Sequence, residues 1–300
     1  MAGNLVAFPT ETVYGLGADA RNEKAVARIY SVKGRPSDHP LIVHIASIDC
    51  IQEWAIEVPE YAIVLARDFW PGPMTLVFKR SHFAADFITG GQDTVGLRVP
   101  NHEIALALLA SFERVGGKGV AAPSANRFGR VSPTNAAAVI EELGQFMSSS
   151  DLVMDGGVSS VGIESTIIDC TGRTPHVLRP GAVTPNMIEE STGLKAHNIQ
   201  HNAIRVSGSL ENHYSPSAKI LFNQTPRKGQ GFIAHAVIDT PKGVFRLASP
   251  QNDDEFAHLL YFALREADKK GISEVVVVLP DGQGIAAAVR DRLSRAANRR

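Results

Sequence analysis

Two basic residues, Lys33 and Arg35, have types and spacing suited to holding the phosphates of a nucleotide. They stand on either side of Gly34, at the end of a stretch with helical periodicity. A guanidinium offers a planar fork and an ammonium offers a point charge, so the pair suits a polyphosphate. Basic side chains at a helix C-terminus also complement the helix dipole, and that simpler role remains open.

An arginine within an apolar strand is the next candidate. Arg98 interrupts the run 95–99, which otherwise has the composition of a buried strand. A cation in that position must be paired, or must meet the anion of a ligand. A carboxylate, from the protein or from a ligand, would satisfy the guanidinium through two hydrogen bonds.

Further polar segments follow predicted strands, where open α/β sheets build their ligand sites. Segment 9–17 combines three hydroxyl side chains with one carboxylate and leads into two glycines. Segments 121–126 and 162–166 place serine, asparagine or glutamate among small residues, and Arg179 follows a third strand. Small side chains let a ligand approach the backbone closely. A structural connector rich in Ser and Thr remains the alternative for segment 9–17.

Several common cofactor and catalytic motifs are missing from the sequence. It contains no GxxxxGK[ST] phosphate loop, no HExxH zinc motif and no GxSxG elbow. Residues 15–20 fit G-x-G-x-x-A, but residues 9–14 separate them from the strand before, so we predict a glycine-bearing turn. Cys50 and Cys170 are far apart, which indicates two small buried hydrophobes and no zinc ribbon or disulfide framework.

Composition limits the class of protein. The chain of 300 residues is 44% hydrophobic and 20% charged, which is typical of a globular protein. Its formal net charge of -1 argues against a broadly basic nucleic-acid coat. No apolar run approaches the roughly 20 residues of a membrane helix, and the N-terminus lacks the pattern of a signal peptide. We therefore expect a cytoplasmic protein that does not bind membranes.

The elements that must position these residues alternate between strand and helix patterns. Strands are predicted at 5–8, 41–45, 74–78, 95–99, 119–122, 152–154, 166–169, 176–178, 219–222 and 274–279. Helices are predicted at 23–33, 59–70, 102–112, 135–143, 185–192, 255–269 and 285–297. We expect a first α/β domain over 1–200, a polar linker over 201–217 and a smaller α/β domain over 218–300.

Taken in this order, the segments resemble the YrdC-like family of L-threonylcarbamoyladenylate synthases. The family's K-x-R…S-x-N pattern is met by Lys33, Arg35, Ser124 and Asn126. Residues 9–20 match the family's most recognisable sequence block almost word for word. Segments 207–216 and 284–297 resemble the long form of the family. The resemblance implies a YrdC-like twisted mixed open sheet with helices, followed by a smaller Rossmann-like α/β domain.

The resemblance also implies an activity. The substrates would be L-threonine, bicarbonate and ATP with bound Mg²⁺, and the products threonylcarbamoyl-AMP and pyrophosphate. A downstream threonylcarbamoyl-transferase complex would then modify tRNA. The implied catalytic residues are Lys33, Arg35, Ser124 and Asn126. The residues implied to bind ATP are Arg35, His39, Thr94, Ser124, Asn126, Ser132, Arg179, His213 and Tyr214. Those implied to bind L-threonine are Thr12, His44, Arg98, Ala122 and Ser165.

Two details of the resemblance lead to further expectations. His39 stands where the family commonly has Asn, and because imidazole titrates near neutral pH, we predict that ATP affinity varies with pH. The segment that contains His213 and Tyr214 lies in the linker, and we expect it to fold over the nucleotide as a lid.

Two rival functions are weaker. A non-catalytic RNA-binding module would be expected to have a basic stripe interleaved with aromatic residues, which the sequence lacks. Carbamoyl-transfer maturation enzymes share a YrdC-like domain but carry cysteine-rich zinc modules. Two distant cysteines cannot supply such a module.

Overall fold

The structure is a computed structural model that describes residues 2–198, 204–208 and 214–298. Within these ranges the chain forms one large mixed sheet and one small parallel sheet, and helices pack against both. The predicted mixed α/β fold with a second, smaller α/β part is therefore confirmed. We call residues 2–198 the first unit and residues 218–298 the second unit.

Eleven strands of the described residues form the large sheet. In chain order they are β1 (Val6–Phe8), β2 (Gly15–Asp19), β3 (Ile42–His44), β4 (Ala55–Ile56), β5 (Met74–Arg80), β6 (Thr94–Arg98), β7 (Val120–Ala121), β8 (Leu152–Val153), β9 (Thr166–Asp169), β10 (His176–Arg179) and β11 (His197–Asn198). Their spatial order is β11-β10-β9-β5-β6-β3-β7-β2-β1-β8, and β4 pairs with β5. Strand β5 is antiparallel to β6 and parallel to β9, so the sheet is mixed at its centre.

The helices of the first unit begin and end largely where capping residues predict. They are α1 (Glu23–Lys33), α2 (Ile51–Trp54), α3 (Glu60–Phe69), α4 (Asp86–Thr89), α5 (Glu103–Arg114), α6 (Ala136–Leu143) and α7 (Pro185–Thr192). Asn22, Asn135 and Thr184 each accept a hydrogen bond from an amide in the first turn of the helix that follows. None of the described helices combines the length and apolarity that a membrane crossing requires.

The core of the first unit lies between the large sheet and its helices. Trp54 and Phe78 are fully buried there, and α1 turns Val26 and Ile29 into the same cluster. Burying side chains of this size removes much apolar surface from water, which is the main stabilising term in folding. The sheet therefore gives the polar segments at its strand ends a rigid support.

The second unit is built on four parallel strands. They are β12 (Lys219–Phe222), β13 (Gly231–Ile233), β14 (Phe245–Ala248) and β15 (Glu274–Val277), in the order β12-β15-β13-β14. Helices α8 (Asp253–Lys269) and α9 (Ile285–Ala297) complete it. The prediction that the apolar run 274–279 forms a strand of parallel type is confirmed. Strands β13 and β14 were not predicted, because they are short and carry a glycine or an arginine among their apolar residues.

The predicted turn at residues 15–20 is wrong, because Gly15–Asp19 forms strand β2. It pairs antiparallel with β1 and with β7. The glycines serve close packing: a Cβ added to Gly17 would lie 2.6 Å from a side-chain carbon of Val120 and 2.8 Å from one of Phe8. A glycine inside a strand pattern can mark such a close approach as well as a turn.

The second unit docks closely on the first. Gly162 has a positive φ of 83°, and a Cβ there would lie 2.5 Å from the Cα of His258 in α8. The Arg265 guanidinium donates to the Val131 carbonyl at 2.6 Å. Val13 and Ile163 of the first unit belong to the same hydrophobic cluster as the core of the second. The two units therefore share a packed interface with little space between their backbones.

Candidate functional site

A cleft opens in the large sheet where strands β3 and β6 end, at His44 and Arg98. Each of the polar segments singled out in the sequence contributes to its wall. The lining residues are Thr10, Thr12, Val13, Tyr14, Gly15, Arg35, Ile42, His44, Arg98, Ala122, Pro123, Ser124, Glu164, Ser165, Arg179, Ser207, Gly208 and Tyr214.

Adjacent strands bring two of the predicted threonine-binding residues together. Strand β3 runs parallel to β6, and the register places His44 opposite Arg98. The Arg98 guanidinium donates to the hydroxyl of Thr12 at 3.0 Å and to the Gly72 carbonyl at 3.2 Å. Its Nη2 lies 2.7 Å from the buried carboxylate of Glu11. Arg98 is thus held at the cleft by three neighbours, and its buried charge is balanced.

The connector between β1 and β2 has a defined geometry. The Thr10 hydroxyl donates to the Val13 carbonyl at 2.6 Å, accepts from the amides of Thr12 and Val13, and lies 2.9 Å from the Thr12 hydroxyl. Such local bonds from Thr to the backbone stabilise a tight turn. The turn presents Thr12 to Arg98, so the two threonines of this segment stabilise the turn and contribute to the site at the same time.

His44 is neutral at physiological pH. Burial, followed by the positive charge of Arg98, lowers the pKa of His44 to about 3. Its ring packs edge-on against Phe8, with 5.6 Å between the ring centroids. Nδ1 of His44 is buried and has no hydrogen-bond partner among the described residues. A neutral imidazole of this kind can give or take one hydrogen bond without adding charge.

Arg35 supplies a second cation to the cleft. It is 7% exposed, and its Nη2 donates to the Pro40 carbonyl and to the Ser207 hydroxyl, each at 3.2 Å. Its Nε is buried and has no hydrogen-bond acceptor within the described part of the chain. Burial lowers the pKa of Arg35 to about 10, so the side chain remains charged at neutral pH. Arg35 therefore has donor capacity left for an anionic ligand.

Lys33 lies behind the cleft wall and does not line it. Its ammonium donates to the carbonyl oxygens of Ser124 and Asn126, each at 2.5 Å. Burial, and then the charge of Arg35, hold the pKa of Lys33 well below its usual value. The lysine thus fixes the backbone of segment 124–126.

Two other predicted residues also support the wall from behind. The Asn126 amide donates to the carbonyls of Arg127 and Arg130, both at 2.8 Å. The Ser132 hydroxyl donates to the carboxylate of Glu164 at 2.6 Å. Neither side chain lines the cleft, whereas Ser124 and Ala122 of the same region do. Segment 121–132 therefore reaches the cleft mainly through its small residues.

Arg179 closes the opposite side. Its Nε and Nη2 donate to the Ser165 carbonyl at 3.0 and 2.8 Å, and Nη1 donates to the Ser207 carbonyl at 2.7 Å. Tyr214 also lines the cleft, and its ring stacks on Tyr261 of the second unit with 5.7 Å between centroids. The two described parts of the predicted linker, 204–208 and 214–217, thus reach the same cleft as the arginines.

Two predicted residues, Thr94 and His39, lie away from the cleft lining. Thr94 begins β6, at the other end of the strand from Arg98, and borders two neighbouring depressions. His39 packs beside Arg35 against the ring of Phe128 but does not line the cleft. His213 lies outside the described residues.

Sequence reasoning gave no role to two buried carboxylates, Glu11 and Glu164. Both stand in segments that it had singled out, and each is paired with a buried arginine. For Glu11 the signal available was an isolated carboxylate and a strand arginine in one domain, since each needs an opposite charge when buried. The partner of Glu164 stands on helix α9 of the second unit, and no such signal pointed to it. Among the described residues, no group of three His, Cys, Asp or Glu side chains is arranged to hold a metal ion.

Family profiles cover most of the chain. The profile of the Sua5/YciO/YrdC family, described as "Telomere recombination", matches residues 1–181. A second profile, described as "Threonylcarbamoyl-AMP synthase, C-terminal domain", matches residues 183–298.

Individual relatives agree with these profiles. A protein of Pyrococcus abyssi named threonylcarbamoyl-AMP synthase is 41% identical over 318 residues, which covers 99% of this chain and 92% of the relative. The protein of that name from Bacillus subtilis is 36% identical and covers 99% and 90%. A crystal structure of P. abyssi Sua5 complexed with L-threonine matches with a TM-score of 0.87 at 39% identity, and the match covers 98% of this chain and 91% of that one.

Proposed function

This chain belongs to the threonylcarbamoyl-AMP synthases of the Sua5/YciO/YrdC family, and on that premise we propose that its cleft assembles the substrates. It is an ATP-using enzyme of the nucleotidyltransferase type, and the rival function of a non-catalytic RNA-binding module is set aside. The observation that carries the proposal is that Arg35 and Arg98 line one cleft, which His44 and Ser124 also line. Two cations in one cleft can hold a carboxylate and a polyphosphate side by side.

L-Threonine binds, in this proposal, at the Arg98 end of the cleft. The guanidinium receives the threonine carboxylate, and Thr12, already 3.0 Å from it, helps to orient that group. Glu11 keeps the guanidinium in place without entering the cleft lining. The neutral ring of His44, the hydroxyl of Ser165 and the backbone at Ala122 then contact the threonine amine and hydroxyl. Such positioning brings the amine to the place where it reacts.

The reaction has two steps in this account. The threonine amine attacks bicarbonate, and water leaves, to give a carbamate on the threonine nitrogen. A carbamate oxygen then forms a bond to the α-phosphorus of ATP, the bond from that phosphorus to the bridging oxygen breaks, and pyrophosphate leaves. Arg35 stabilises the charge that develops on the phosphates. Ser124 and Arg179 line the cleft with it and are proposed to contact ATP. The other residues proposed for ATP are His39, Thr94, Asn126, Ser132, His213 and Tyr214.

Magnesium enters this scheme as part of the nucleotide substrate. Mg²⁺ keeps several waters and binds readily through substrate phosphates with one or two carboxylates, so it does not need a complete protein cage. Glu164 lines the cleft, but it is engaged by Ser132 and Arg292. Mg²⁺ bound to the triphosphate would neutralise part of its charge and orient it for attack.

The linker acts as a lid in this proposal. Ser207 already contacts both Arg35 and Arg179, and Tyr214 lines the cleft from the second unit's side. A lid would exclude water from the adenylate, whose mixed anhydride is open to hydrolysis. His213 is assigned to the same role by its place in the linker. A downstream complex would take the product and pass the threonylcarbamoyl group to tRNA in the cytoplasm.

The proposed domains are 1–200, 201–217 and 218–300. Strand β11 pairs with β10 and so extends the first sheet to residue 198, and β12 opens the second sheet at Lys219. The family profiles instead divide the chain near residue 182. We favour the later boundary, because helix α7 packs on helix α3 and its Ile188 belongs to the core of the first unit.

The function is tested by following the nucleotide product. Purified protein is incubated with ATP, Mg²⁺, bicarbonate and L-threonine, and the products are identified by mass spectrometry. We expect threonylcarbamoyl-AMP and an equal amount of pyrophosphate, and neither product when threonine or bicarbonate is omitted. Pyrophosphate release that does not depend on threonine would contradict the proposal.

ATP affinity is expected to increase modestly as the pH falls below 6.5. Burial, and then the nearby charge of Arg35, lower the pKa of His39, so its ring is neutral at pH 7 and is protonated only at a lower pH than an ordinary histidine. A bound triphosphate favours the protonated ring, and binding is therefore tighter at low pH. Relative to His39→Asn, the wild type should gain about threefold in affinity between pH 7.5 and pH 5.5.

The measurement is calorimetric titration with Mg-ATP across that range. Taking the ratio to His39→Asn at each pH cancels the titration of the nucleotide itself. A ratio that stays constant with pH would exclude a role for the imidazole in binding ATP.

A further inference from the structure

The second unit extends one arginine to the wall of the cleft. Arg292 stands on α9 and is fully buried. Its Nε donates to the Glu164 carboxylate at 2.8 Å. Glu164 itself lines the cleft, although nothing in the reaction proposed above requires it. A buried ion pair between two units is costly to form, so its location calls for an explanation.

Arg292 also holds two neighbouring backbone segments next to the cleft. Its Nη2 donates to the Pro180 carbonyl at 2.9 Å and to the Glu164 carbonyl at 3.4 Å. Pro180 directly follows Arg179, and Glu164 directly precedes Ser165. Ser165 and Arg179 both line the cleft, and the Arg179 guanidinium donates to the Ser165 carbonyl. One side chain of the second unit thus fixes two backbone segments that carry cleft residues.

The carboxylate of Glu164 is the centre of this cluster. It is faced by Arg292 from α9, Tyr261 from α8, Ser132 from the loop before α6, Arg179 from β10 and Tyr214 from the linker. Asp291 balances the other side of Arg292 at 2.6 Å. Burial alone would raise the pKa of Glu164, but the charges of Arg292 and Arg179 outweigh it and set the pKa at about 2.

We propose that Arg292 is a positioning residue for adenylate synthesis, which acts by holding ionised Glu164 and, through it, the wall that carries Ser165 and Arg179. The proposal gives the second unit a direct part in the geometry of the cleft. It rests on the proposed placement of the substrates there. Arg292 itself does not line the cleft, so its effect on the reaction is transmitted through Glu164 and the two backbone segments.

The test is the pH dependence of kcat for Arg292→Gln, taken as a ratio to the wild type at each pH. Without the arginine, only the charge of Arg179 and the hydrogen bond from Ser132 oppose burial, so the pKa of Glu164 rises and the carboxyl takes up a proton more readily as the pH falls. We expect kcat to fall relative to the wild type by about tenfold between pH 8 and pH 6. Arg292→Lys keeps the charge and should show no such acid limb. The ratio cancels the titration of bicarbonate and of the threonine amine.

Two further variants separate positioning from simple loss of stability. Arg295 lies on the same helix and is paired with Asp291. For Arg295→Gln, the ratio of its kcat to the wild-type kcat should stay near one at every pH. Arg292→Gln combined with Glu164→Gln removes both charges, so its kcat should be about tenfold low at every pH. If Arg292→Gln alone does not fold, this double variant carries the test.

The proposal would be overturned if the kcat of Arg292→Gln, or of the double variant, equalled the wild-type value at every pH. A loss of thermal stability alone would not rescue it. Substitution of Arg98 distinguishes this failure from a wrong placement of the substrates. If Arg98→Lys also retains full activity, the cleft is not the site of synthesis. If Arg98→Lys is impaired while the Arg292 variants are normal, only the positioning role fails.

Discussion

Replacement of Arg98 by methionine is expected to reduce kcat/KM for L-threonine by about 10²- to 10³-fold. The guanidinium lines the cleft with Thr12 beside it, and in the proposed complex it is the group that meets the threonine carboxylate. Loss of a charge-assisted pair of hydrogen bonds in a site shielded from water has effects of this size. The measurement is steady-state release of pyrophosphate at varied threonine and saturating ATP.

Stability must be separated from binding in this variant. Without Arg98, the Glu11 carboxylate is buried and unpaired, which costs about 3–5 kcal/mol when one partner of a buried ion pair is removed. Arg98→Met combined with Glu11→Gln removes both charges and serves as the matched variant. Arg98→Lys keeps the charge but loses the planar guanidinium with its paired donors, so kcat/KM for L-threonine should fall by about tenfold or more. A folded variant with unchanged threonine affinity would exclude Arg98 as the carboxylate site.

Replacement of Lys33 by methionine is expected to reduce kcat by about 10²-fold while the Kd for Mg-ATP changes by less than about threefold. The ammonium holds the carbonyls of Ser124 and Asn126 and does not line the cleft. Its loss leaves two carbonyl oxygens without their donor and lets segment 124–126 move, so the reacting groups lose alignment. Methionine has a similar length and fills the same buried space.

Lys24→Met is the matched control, since Lys24 lies exposed on the same helix and should behave as the wild type. Binding and catalysis are measured separately, by calorimetry with Mg-ATP and by single-turnover formation of threonylcarbamoyl-AMP. A loss of ATP affinity of more than about tenfold in Lys33→Met would mean that the lysine does contact the phosphates. The structure would then have to rearrange around segment 124–126 when ATP binds.

Much of the fold could be predicted from local patterns. The helix 23–33 has an Asn cap and a left-handed glycine at its end, and the predicted bounds match the observed ones. Strands 166–169 and 219–222 and helix 285–297 also match. In each of these segments, the hydrophobic periodicity or the composition favours the same helix or strand that the fold requires there. Local sequence patterns were therefore sufficient to predict these elements.

Other features of the fold and the site depend on long-range packing. Strand β2 contains two glycines, and only contact with Val120 and Phe8 explains why a glycine is needed there. Lys33 and Arg35 stand on either side of Gly34 in the sequence. In the structure, Lys33 faces loop carbonyls, whereas Arg35 faces the cleft. The pairing of Glu164 with Arg292 joins residues 128 positions apart, which no local pattern indicates.

The close fit at Gly162 and the Glu164–Arg292 pair restrict how the two halves can be exchanged. A chimera that joins this first unit to the second unit of another synthase would need an arginine reaching the same carboxylate. It would also need a helix backbone able to lie against a residue without a side chain. A hybrid whose second unit lacks that arginine would leave a buried acid without its counterion, so a viable hybrid must contain both partners of the contact.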